Sequence, residues 1–558
     1  MTYDLLIRGG TVVDGTGCPG FVADVAITNG SITEIGKLSG TAHEVIDADG
    51  LIVAPGFIDN HTHYDGQICW DPLLTPSCWH GVTTAIMGNC GLGVAPMRPE
   101  GRGIAVENLV CVEGMSKETL TAGVDWDWDT FPEYIQSMKR RQPGINVGFL
   151  SGLSAFRHYV LGEEAMERAS TPAETEKIKE LLRESIKVGS LGFSFSRLPN
   201  DIGFKGKPVA SRLAPNSELE AYAGVLRELG KGVIQFAMLT RVGEMSEEEY
   251  ALVDMLLEAS GRPLTWLALL TRADKPSASM AILDRCNEQH RRGAWPAVTV
   301  RPLIASLQIK SDRRIMAELP SMQKVFAKDI DTQIAVCQTP EFRASLRVEM
   351  AKPGLVVWNW SNIEVGSVEN PALKALEGRS VADIARERGA DPVDVFLDIA
   401  VEDRLETNFN MPLFNTDDKL CAELFTDPRT LIGLSDGGAH ALTLCDAGYT
   451  TYMLGKWVRE KKAISLEQAV RKLTSAQADF LGIRDRGRLQ VGLAADVVVF
   501  DATRVGSSLK PEIVQDFPAG GQRMITRPTG IEHVIVNGQC TVRGLIPTGA
   551  RAGTIVHN

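Results

Sequence analysis

The sequence predicts an α/β fold whose simplest form is a closed (β/α)₈ barrel, together with a small β-sheet domain built from both ends of the chain. Eight short apolar segments alternate with longer amphipathic segments along the middle of the chain. Short apolar runs separated by Asn-Gly or Gly-Gly pairs, which favour hairpin turns, occupy both ends. A length of 558 residues also exceeds what one simple core requires, so we expect one large domain and a smaller one.

The two chain ends share the same pattern of short strands and turns. The apolar runs are residues 5–8, 24–27, 31–35, 495–501 and 531–536. Because the ends resemble each other and differ from the middle, we expect them to form one small sheet domain. We predict that this β domain comprises residues 1–54 and 486–558, and that the barrel domain comprises residues 55–485.

The middle of the chain supplies the predicted barrel. Its eight candidate strands are residues 56–60, 82–87, 147–151, 191–195, 232–236, 263–268, 297–301 and 431–435. The clearest helices between them are residues 173–188, 217–229 and 247–260, in which apolar residues recur every three or four positions. The stretch from 302 to 430 also contains chain that a minimal barrel does not require.

Composition argues against several classes of partner. The formal net charge of −12 disfavours a nucleic acid or an anionic membrane surface, since both attract basic proteins. The ten cysteines include no CxxC pair and are expected to be reduced thiols. The first residues lack the features of a signal peptide, and no apolar run approaches the ~20 residues of a membrane-spanning helix. We therefore expect a cytoplasmic protein with neither a nucleic-acid nor a membrane partner.

The strongest local motif is His61-Thr62-His63, directly after the first predicted barrel strand. A strand places residues i and i+2 on the same face, so His61 and His63 are expected to point the same way and to share one metal ion. They also fall at the C-terminal end of the strand, where barrel enzymes carry their active sites. An isolated HxH tripeptide more often consists of two unrelated histidines, so this interpretation depends on the other motifs.

Two further motifs carry groups that bind metals. Residues 431–440 form an apolar segment that ends at Asp436 and is followed by two glycines. Asp436 is a candidate metal ligand and proton acceptor, although Asp-Gly is also a common turn pair. Cys90, next to Gly91 after another predicted strand, is a candidate zinc ligand, whereas a buried inert thiol is the commoner role of a free cysteine.

Together these motifs resemble the amidohydrolase superfamily and, within it, the N-acyl-D-amino-acid deacylase (D-aminoacylase) branch. The resemblance extends over nearly the whole chain. It is carried by the His61/His63 pair and by residues 54–59, 88–91, 435–440, 473–475, 486–489, 492–496 and 536–538. It implies a TIM-like barrel flanked by a β-sandwich made from both termini, with zinc bound by His61, His63 and Asp436.

The sequence departs from this branch at the second half of the metal site. In the branch, a cysteine matched here by Cys90 holds the more tightly bound zinc together with two histidines from later barrel strands. The segments where those histidines would fall, residues 233–240 and 264–271, contain none. Leu153 stands where a further motif usually has a histidine, and no strand-borne lysine is a persuasive bridge between two metals.

We therefore expect a single metal ion, most simply zinc, held by His61, His63 and Asp436, with Cys90 as an additional ligand. Two histidines and one carboxylate also describe a non-haem iron site, which leaves the identity of the metal open.

The resulting functional prediction is metal-assisted hydrolysis of a carbon–nitrogen bond. A metal ion lowers the pKa of its bound water toward ~7, and Asp436 accepts the water proton and passes it to the leaving nitrogen. The leading substrate class is the N-acyl-D-amino acids, whose carboxylate requires a cation. Candidates near predicted strand ends are Arg157, Arg241 and Arg301, each equally explained by a surface or ion-pairing role. His440, just past Asp436, is a further candidate for contact with the substrate or the metal.

Three alternatives stay open. The first is hydrolysis of another amide, a cyclic amide or a carbamate. The second is lyase or decarboxylase chemistry at a single metal. The third, a catalytically inactive binding or assembly protein, is disfavoured because it has no need for four metal-competent groups. Two other histidines, His80 and His158, are expected to be structural, and a large enzyme of this kind often forms a homo-oligomer.

Overall fold

Short parallel strands occupy the segments predicted for the barrel, and the predicted α/β class is confirmed. The computed structural model describes residues 2–239, 241–310, 315–316, 318–326, 328–352, 354 and 356–558. The contacts within the chain define two units. The first comprises Met1–Leu270, Lys275–Arg301 and Lys419–Asn558, and the second comprises Thr271–Asp274 and Pro302–Asp418.

The strands are short except at the N-terminus. In chain order they are β1 (Thr2–Val12), β2 (Phe21–Thr28), β3 (Ser31–Gly36), β4 (Thr41–Asp47), β5 (Ile52–Pro55), β6 (Phe57–Asp59), β7 (Val82–Met87), β8 (Asn146–Phe149), β9 (Ser151–Gly152), β10 (Gly192–Ser196), β11 (Val233–Ala237), β12 (Leu264–Leu267), β13 (Ala294–Val298), β14 (Leu303–Leu307), β15 (Glu364–Ser367), β16 (Asn408–Phe414), β17 (Leu431–Ile432), β18 (Val497–Phe500), β19 (Gly506–Ser507), β20 (Glu512–Phe517), β21 (Gly521–Ile525), β22 (Pro528–Thr529), β23 (Ile531–Val536), β24 (Gln539–Arg543) and β25 (Ile546–Pro547).

The α-helices lie mostly between the central strands. In chain order they are α1 (Arg102–Glu113), α2 (Lys117–Gly123), α3 (Phe131–Arg141), α4 (Leu153–Leu161), α5 (Pro172–Lys187), α6 (Asn216–Leu229), α7 (Glu247–Ser260), α8 (Ala278–Arg285), α9 (Asn287–Arg291), α10 (Pro320–Gln323), α11 (Ile330–Cys337), α12 (Pro340–Met350), α13 (Val381–Arg388), α14 (Pro392–Glu402), α15 (Asp418–Thr426), α16 (Tyr449–Tyr452), α17 (Leu466–Leu473) and α18 (Ser475–Leu481). None of the helices in the described part of the chain is both long and apolar enough to cross a membrane.

Helices α5, α6 and α7 begin and end within one residue of the predicted positions. Two of them start with capping boxes. In each box the side-chain oxygen of the residue before the helix accepts a hydrogen bond from the backbone N–H of the third helical residue. The side chain of that third residue, a glutamate, accepts one in return from the backbone N–H of the capping residue. These boxes pair Thr171 with Glu174 in α5 and Ser246 with Glu249 in α7. The sequence therefore encodes these helix starts locally, through groups that satisfy free backbone N–H donors.

The central strands pair in parallel in sequence order. β6, β7 and β8 form one parallel set, and β9, β10, β11, β12, β13 and β17 form a second. Only Leu150 separates β8 from β9, so one stretch of chain belongs to both sets. Beyond the named strands, Thr62 and Gly437 form a parallel bridge. Every residue of β7, β10, β11 and β12 is buried, as expected for parallel strands covered on both faces.

Two strands, β13 and β17, depart most from their predicted bounds, β13 by three residues at both ends and β17 by three residues at its C-terminal end, whereas the other barrel strands agree within one or two residues. β13 (Ala294–Val298) starts before Pro296, whereas the sequence predicted a strand at 297–301. Proline lacks one N–H donor but fits extended backbone, and it pairs here with Trp266 of β12. β17 ends at Ile432 instead of continuing to residue 435, because Leu434 has a φ of 64°, outside the extended region.

Strands from both ends of the chain form one nine-stranded sheet. Its order is β25-β24-β23-β18-β5-β1-β2-β3, and β4 pairs with β1. The two ends meet where β5 pairs antiparallel with β18, with Val53 opposite Val499. Buried aliphatic side chains from both ends pack on one another, including Ile7, Val497 and Ile535. Burial of these apolar surfaces holds the distant termini together.

The second unit accounts for most of the chain that a minimal barrel does not require. It contains the antiparallel sheet β14-β16-β15 and helices α10 to α14. Its own hydrophobic core includes Leu307, Leu346, Phe396 and Phe409.

Candidate active site

The backbone after β6 stays extended and carries both histidines of the HxH motif. The N–H of Thr62 donates to the carbonyl of Ile86 at 3.1 Å, and the N–H of His63 donates to the carbonyl of Gly437 at 2.7 Å. This segment therefore lies between β7 and the loop that follows β17. Alternation along extended backbone places His61 and His63 on one face, and their ring centroids are 5.2 Å apart.

Asp436 joins the two histidines from the loop after β17. Its own φ of 47° is in the left-handed region, which turns the chain sharply beyond the strand. Its Oδ1 lies 3.2 Å from Nε2 of His61 and 3.9 Å from Nε2 of His63. Both histidine side chains are 3% exposed and Asp436 is 15% exposed, so the carboxylate lies on the solvent side of the group.

Cys90 approaches the same point from the end of β7. It lies in the 3₁₀ turn Asn89–Gly91, and its Sγ is 3.5 Å from Nε2 of His61. Donor atoms of His61, His63 and Cys90 all lie within 4.8 Å of one another. Two imidazoles, a thiol and a carboxylate form a donor set of the kind that zinc binds in proteins.

Two further side chains face this group. Oε1 of Glu113, the last residue of α1, lies 3.4 Å from Nδ1 of His63. Nε2 of His440 lies 3.9 Å from Oδ2 of Asp436 and 4.0 Å from Oε2 of Glu113. The predicted contact residue His440 thus lies beside Asp436. Glu113 was not predicted, because a glutamate at a helix end gives no local signal of a contact that only the tertiary structure creates.

Burial and neighbouring charges set the protonation of the group. Burial, with the charge of His61, lowers the pKa of His63 to about 3. Burial alone raises the pKa of Asp436, but the hydrogen bond and charge of His61 outweigh it and hold this pKa below its ordinary value. Burial, together with the charges of Glu113 and Asp436, raises the pKa of the Cys90 thiol. Asp436 is therefore ionised at neutral pH and His63 is neutral.

The surroundings of Cys90 are apolar on the side of the later strands. Cys90 packs against a small cluster formed by Ala237 of β11, Leu267 of β12, Ala297 of β13 and Leu434. None of these four side chains carries an atom that binds metals. Deeper in β11, Oε1 of Gln235 accepts a hydrogen bond from the backbone nitrogen of Cys90 at 2.7 Å.

Two of the three arginines predicted to hold substrate, Arg157 and Arg301, are buried and form ion pairs inside the protein. Arg157 of α4 is fully buried, forms an ion pair with Glu218 of α6 and donates to the carbonyl of Arg168 at 2.7 Å. Arg301 is 2% exposed and its Nε lies 3.1 Å from Oδ1 of Asp446. Both guanidinium groups already have internal ion-pair partners, which favours a structural role over binding of a substrate carboxylate.

The two histidines expected to be structural have internal partners. Nδ1 of His80 lies 2.7 Å from Oγ1 of Thr451, and its Nε2 lies 2.9 Å from the carbonyl oxygen of Thr526. Nδ1 of His158 lies 3.0 Å from the carbonyl oxygen of Gly162. Neither ring joins the group around His61.

Comparison with known proteins places this chain in a family. The sequence profile of the amidohydrolase family matches residues 44–542. An N-acyl-D-glutamate deacylase of Alcaligenes xylosoxydans xylosoxydans is 28% identical, with 99% of this chain and 96% of the relative covered. A D-aminoacylase of the same organism is 26% identical, with 99% of this chain and 97% of the relative covered.

A solved structure is similar over the full length. The N-acyl-D-glutamate deacylase of Bordetella bronchiseptica, complexed with zinc and a phosphonate inhibitor, gives a TM-score of 0.66 at 24% identity, with 100% of both chains covered. At this identity the likeness shows a shared fold. The family match, which spans most of the chain, confirms the predicted hydrolase class, acting on carbon–nitrogen bonds other than peptide bonds. The chain belongs to the amidohydrolase family.

Proposed function

We propose that this chain removes the acyl group from N-acyl-D-amino acids by metal-dependent hydrolysis. The observation that carries the proposal is the convergence of His61, His63, Cys90 and Asp436 from three separate strand ends. The names of the two Alcaligenes relatives, both deacylases of D-amino acid derivatives, support the substrate class.

Zinc is the proposed metal, held by His61, His63 and Asp436 with Cys90 as a further ligand. Donor atoms of His61, His63 and Cys90 lie within 4.8 Å of one another, and Oδ1 of Asp436 lies 3.2 and 3.9 Å from the two imidazoles, separations that suit ligands around one small cation. The mixed nitrogen, sulfur and oxygen donor set favours zinc over magnesium or calcium, which prefer oxygen ligands alone. The zinc complex of the Bordetella deacylase supports the same choice.

One ion per chain is the proposed stoichiometry. A second ion beside Cys90 requires ligands from the later strands. At that place the described strand ends carry Ala237, Leu267 and Ala297, which offer no ligand atoms. The side-chain oxygen of Gln235 is engaged by the backbone of Cys90.

Asp436 is the proposed proton carrier. A metal ion held by these residues would act as a Lewis acid, polarising the substrate carbonyl and favouring ionisation of water. Because Asp436 is ionised at neutral pH, its carboxylate is available to accept the proton of the attacking water. Asp436 then donates that proton to the amide nitrogen, which leaves as a neutral amine. His440 is 21% exposed beside Asp436 and is the proposed hydrogen-bond partner of the substrate.

The finer architecture follows from the strand pairing. We infer that β6 to β13 and β17 close into an eight-stranded barrel, in which β8 and β9 count as one strand. The bridge between Thr62 and Gly437 supports this closure. The nine-stranded sheet supports a β-sandwich domain with boundaries at 1–54 and 486–558.

A cytoplasmic location and a homo-oligomeric state stay predictions from the sequence.

Metal content and substrate preference test the proposal together. Elemental analysis of the purified protein is expected to give one zinc ion per chain. The double variant His61→Ala/His63→Ala is expected to contain none, whereas the control His43→Ala, at an exposed position, keeps it. Hydrolysis assays with N-acetyl-D-amino acids, their L-enantiomers and cyclic amides identify the substrate class.

Each proposed feature has its own contrary result. Two ions per chain contradict the single-metal site, and absence of metal after supplementation contradicts metal-dependent hydrolysis. Cleavage of cyclic amides without cleavage of N-acetyl-D-amino acids rejects the deacylase assignment while retaining the hydrolase.

A further inference from the structure

A buried carboxylate faces His63 from the side opposite to Asp436. Oε1 of Glu113 lies 3.4 Å from Nδ1 of His63, whereas Nε2 of the same ring lies 3.9 Å from Oδ1 of Asp436. The side chains of Glu113 and His63 are each 3% exposed. The two nitrogens of one imidazole ring thus face two different carboxylates.

This placement matters because a neutral imidazole has one N–H donor and one bare nitrogen. Only the bare nitrogen binds a cation, so a ring that binds through Nε2 carries its proton on Nδ1. That N–H requires an acceptor, since a buried donor that lacks a hydrogen-bond partner destabilises the fold. Oε1 of Glu113, 3.4 Å from Nδ1, is the acceptor oxygen available on that side.

The backbone around Glu113 fixes the carboxylate in place. Helix α1 ends there, because Gly114 adopts a left-handed φ of 68° and its N–H bonds back to the carbonyl of Val110. The carbonyl oxygen of Glu113 accepts the backbone N–H of His440. A Cβ added to Gly114 would lie 3.6 Å from Cα of His440, so the helix end and the His440 loop are in close contact.

We propose that Glu113 is a positioning residue of the metal site, which fixes the orientation and the Nδ1–H tautomer of His63 so that Nε2 faces the cation. It also ties the loop that carries His440 to the end of α1. This inference rests on the proposed function, since it assigns Glu113 a task only if His63 is a metal ligand. Carboxylates behind metal-binding histidines typically raise metal affinity in this way.

Zinc affinity of the intact protein tests the proposal. Competition with a chromogenic chelator is expected to give a 10- to 100-fold weaker zinc affinity for Glu113→Ala than for the parent. Glu113→Gln keeps an acceptor oxygen and is expected to recover part of the loss. The matched control is Glu107→Ala, since Glu107 lies on the same helix and is partly exposed, beside Lys117. It is expected to bind zinc like the parent.

The tautomer of His63 distinguishes a specific effect of Glu113 from a general loss of stability, because destabilisation of the fold does not by itself change the tautomer. Solid-state ¹⁵N spectra of histidine-labelled, zinc-loaded protein are expected to contain an Nδ1–H signal that is absent from a His63→Asn variant. In Glu113→Ala that signal is expected to shift or to be replaced by the other tautomer. Urea unfolding of each variant without metal checks that the fold is retained.

The contrary outcomes separate this inference from the proposed function. Zinc binding by the parent, with unchanged affinity and an unchanged His63 signal in Glu113→Ala, overturns the positioning role and leaves the hydrolase standing. An Nε2–H signal for His63 in the zinc-loaded parent overturns it as well. A parent that binds no zinc rejects both.

Discussion

The side-chain oxygen of Gln235 lies 2.7 Å from the backbone nitrogen of Cys90 and accepts its hydrogen bond. The two residues are 145 positions apart in the sequence. Gln235 lies in β11, within the segment where the family resemblance implied a histidine ligand. Cys90 has a φ of 55°, which is unusual for a residue with a side chain, so this bond helps to hold a turn that the backbone does not favour.

Gln235→Met is expected to destabilise the protein by about 1 to 3 kcal/mol, because it leaves the N–H of Cys90 without its acceptor. Urea unfolding followed by circular dichroism measures this difference. The control Gln490→Met, at an exposed position, is expected to change the unfolding free energy by less than about 0.5 kcal/mol. Equal stability of the two variants would contradict a supporting role for Gln235.

Asp436→Asn is expected to lower kcat/KM for an N-acetyl-D-amino acid by about 10² to 10⁴, because an amide does not accept the proton of the attacking water. The assay is run at saturating zinc, with metal content measured in parallel, so that loss of proton transfer is distinguished from loss of the ion. Asp47→Asn, at an exposed position of β4, is the control. Full activity of Asp436→Asn with zinc bound would remove Asp436 from the mechanism.

Arg157→Met is expected to destabilise the protein by about 3 to 5 kcal/mol without changing KM, because it leaves the buried carboxylate of Glu218 without its ion-pair partner. The double variant Arg157→Met/Glu218→Gln is expected to recover part of the loss, since it removes the unpaired charge. Urea unfolding and steady-state kinetics measure the two quantities. A raised KM with unchanged stability points instead to the substrate-binding role first expected of Arg157.

His80 is expected to make the stability fall in mild acid. Burial lowers its pKa to about 3 from an ordinary value of 6.5. Between these values the unfolded chain binds a proton that the folded protein does not. The stability that the buried, neutral His80 ring contributes is therefore fully present above pH 6.5. As the pH falls below that value, the free energy of unfolding decreases by about 1.4 kcal/mol per pH unit.

Unfolding free energies of the parent and of His80→Gln between pH 4 and pH 8 test this expectation, because glutamine hydrogen-bonds without titrating. The parent is expected to lose stability relative to the variant as the pH falls below about 6.5. A constant difference across the range contradicts a depressed pKa for His80.

Local sequence patterns predicted the elements whose form depends on near neighbours. The capping boxes at Thr171 and Ser246 set two helix starts within one residue. The HxH motif predicted that His61 and His63 share a face, since alternation along extended backbone needs no tertiary information. The start of β13 was predicted too late, because the sequence alone does not reveal that Trp266 pairs with Pro296.

The amino-acid sequence by itself determined the α/β class, the family and the side chains available for metal binding. These features depend on strand alternation, turn residues and short motifs, which involve only residues close together in the sequence. Only the tertiary structure decided which polar and charged side chains come into contact. It brought Glu113 to His63, Gln235 to Cys90 and Glu218 to Arg157. The physical reason is that burial of charged and polar groups depends on packing between distant segments, and no local pattern records which partner a buried group finds there.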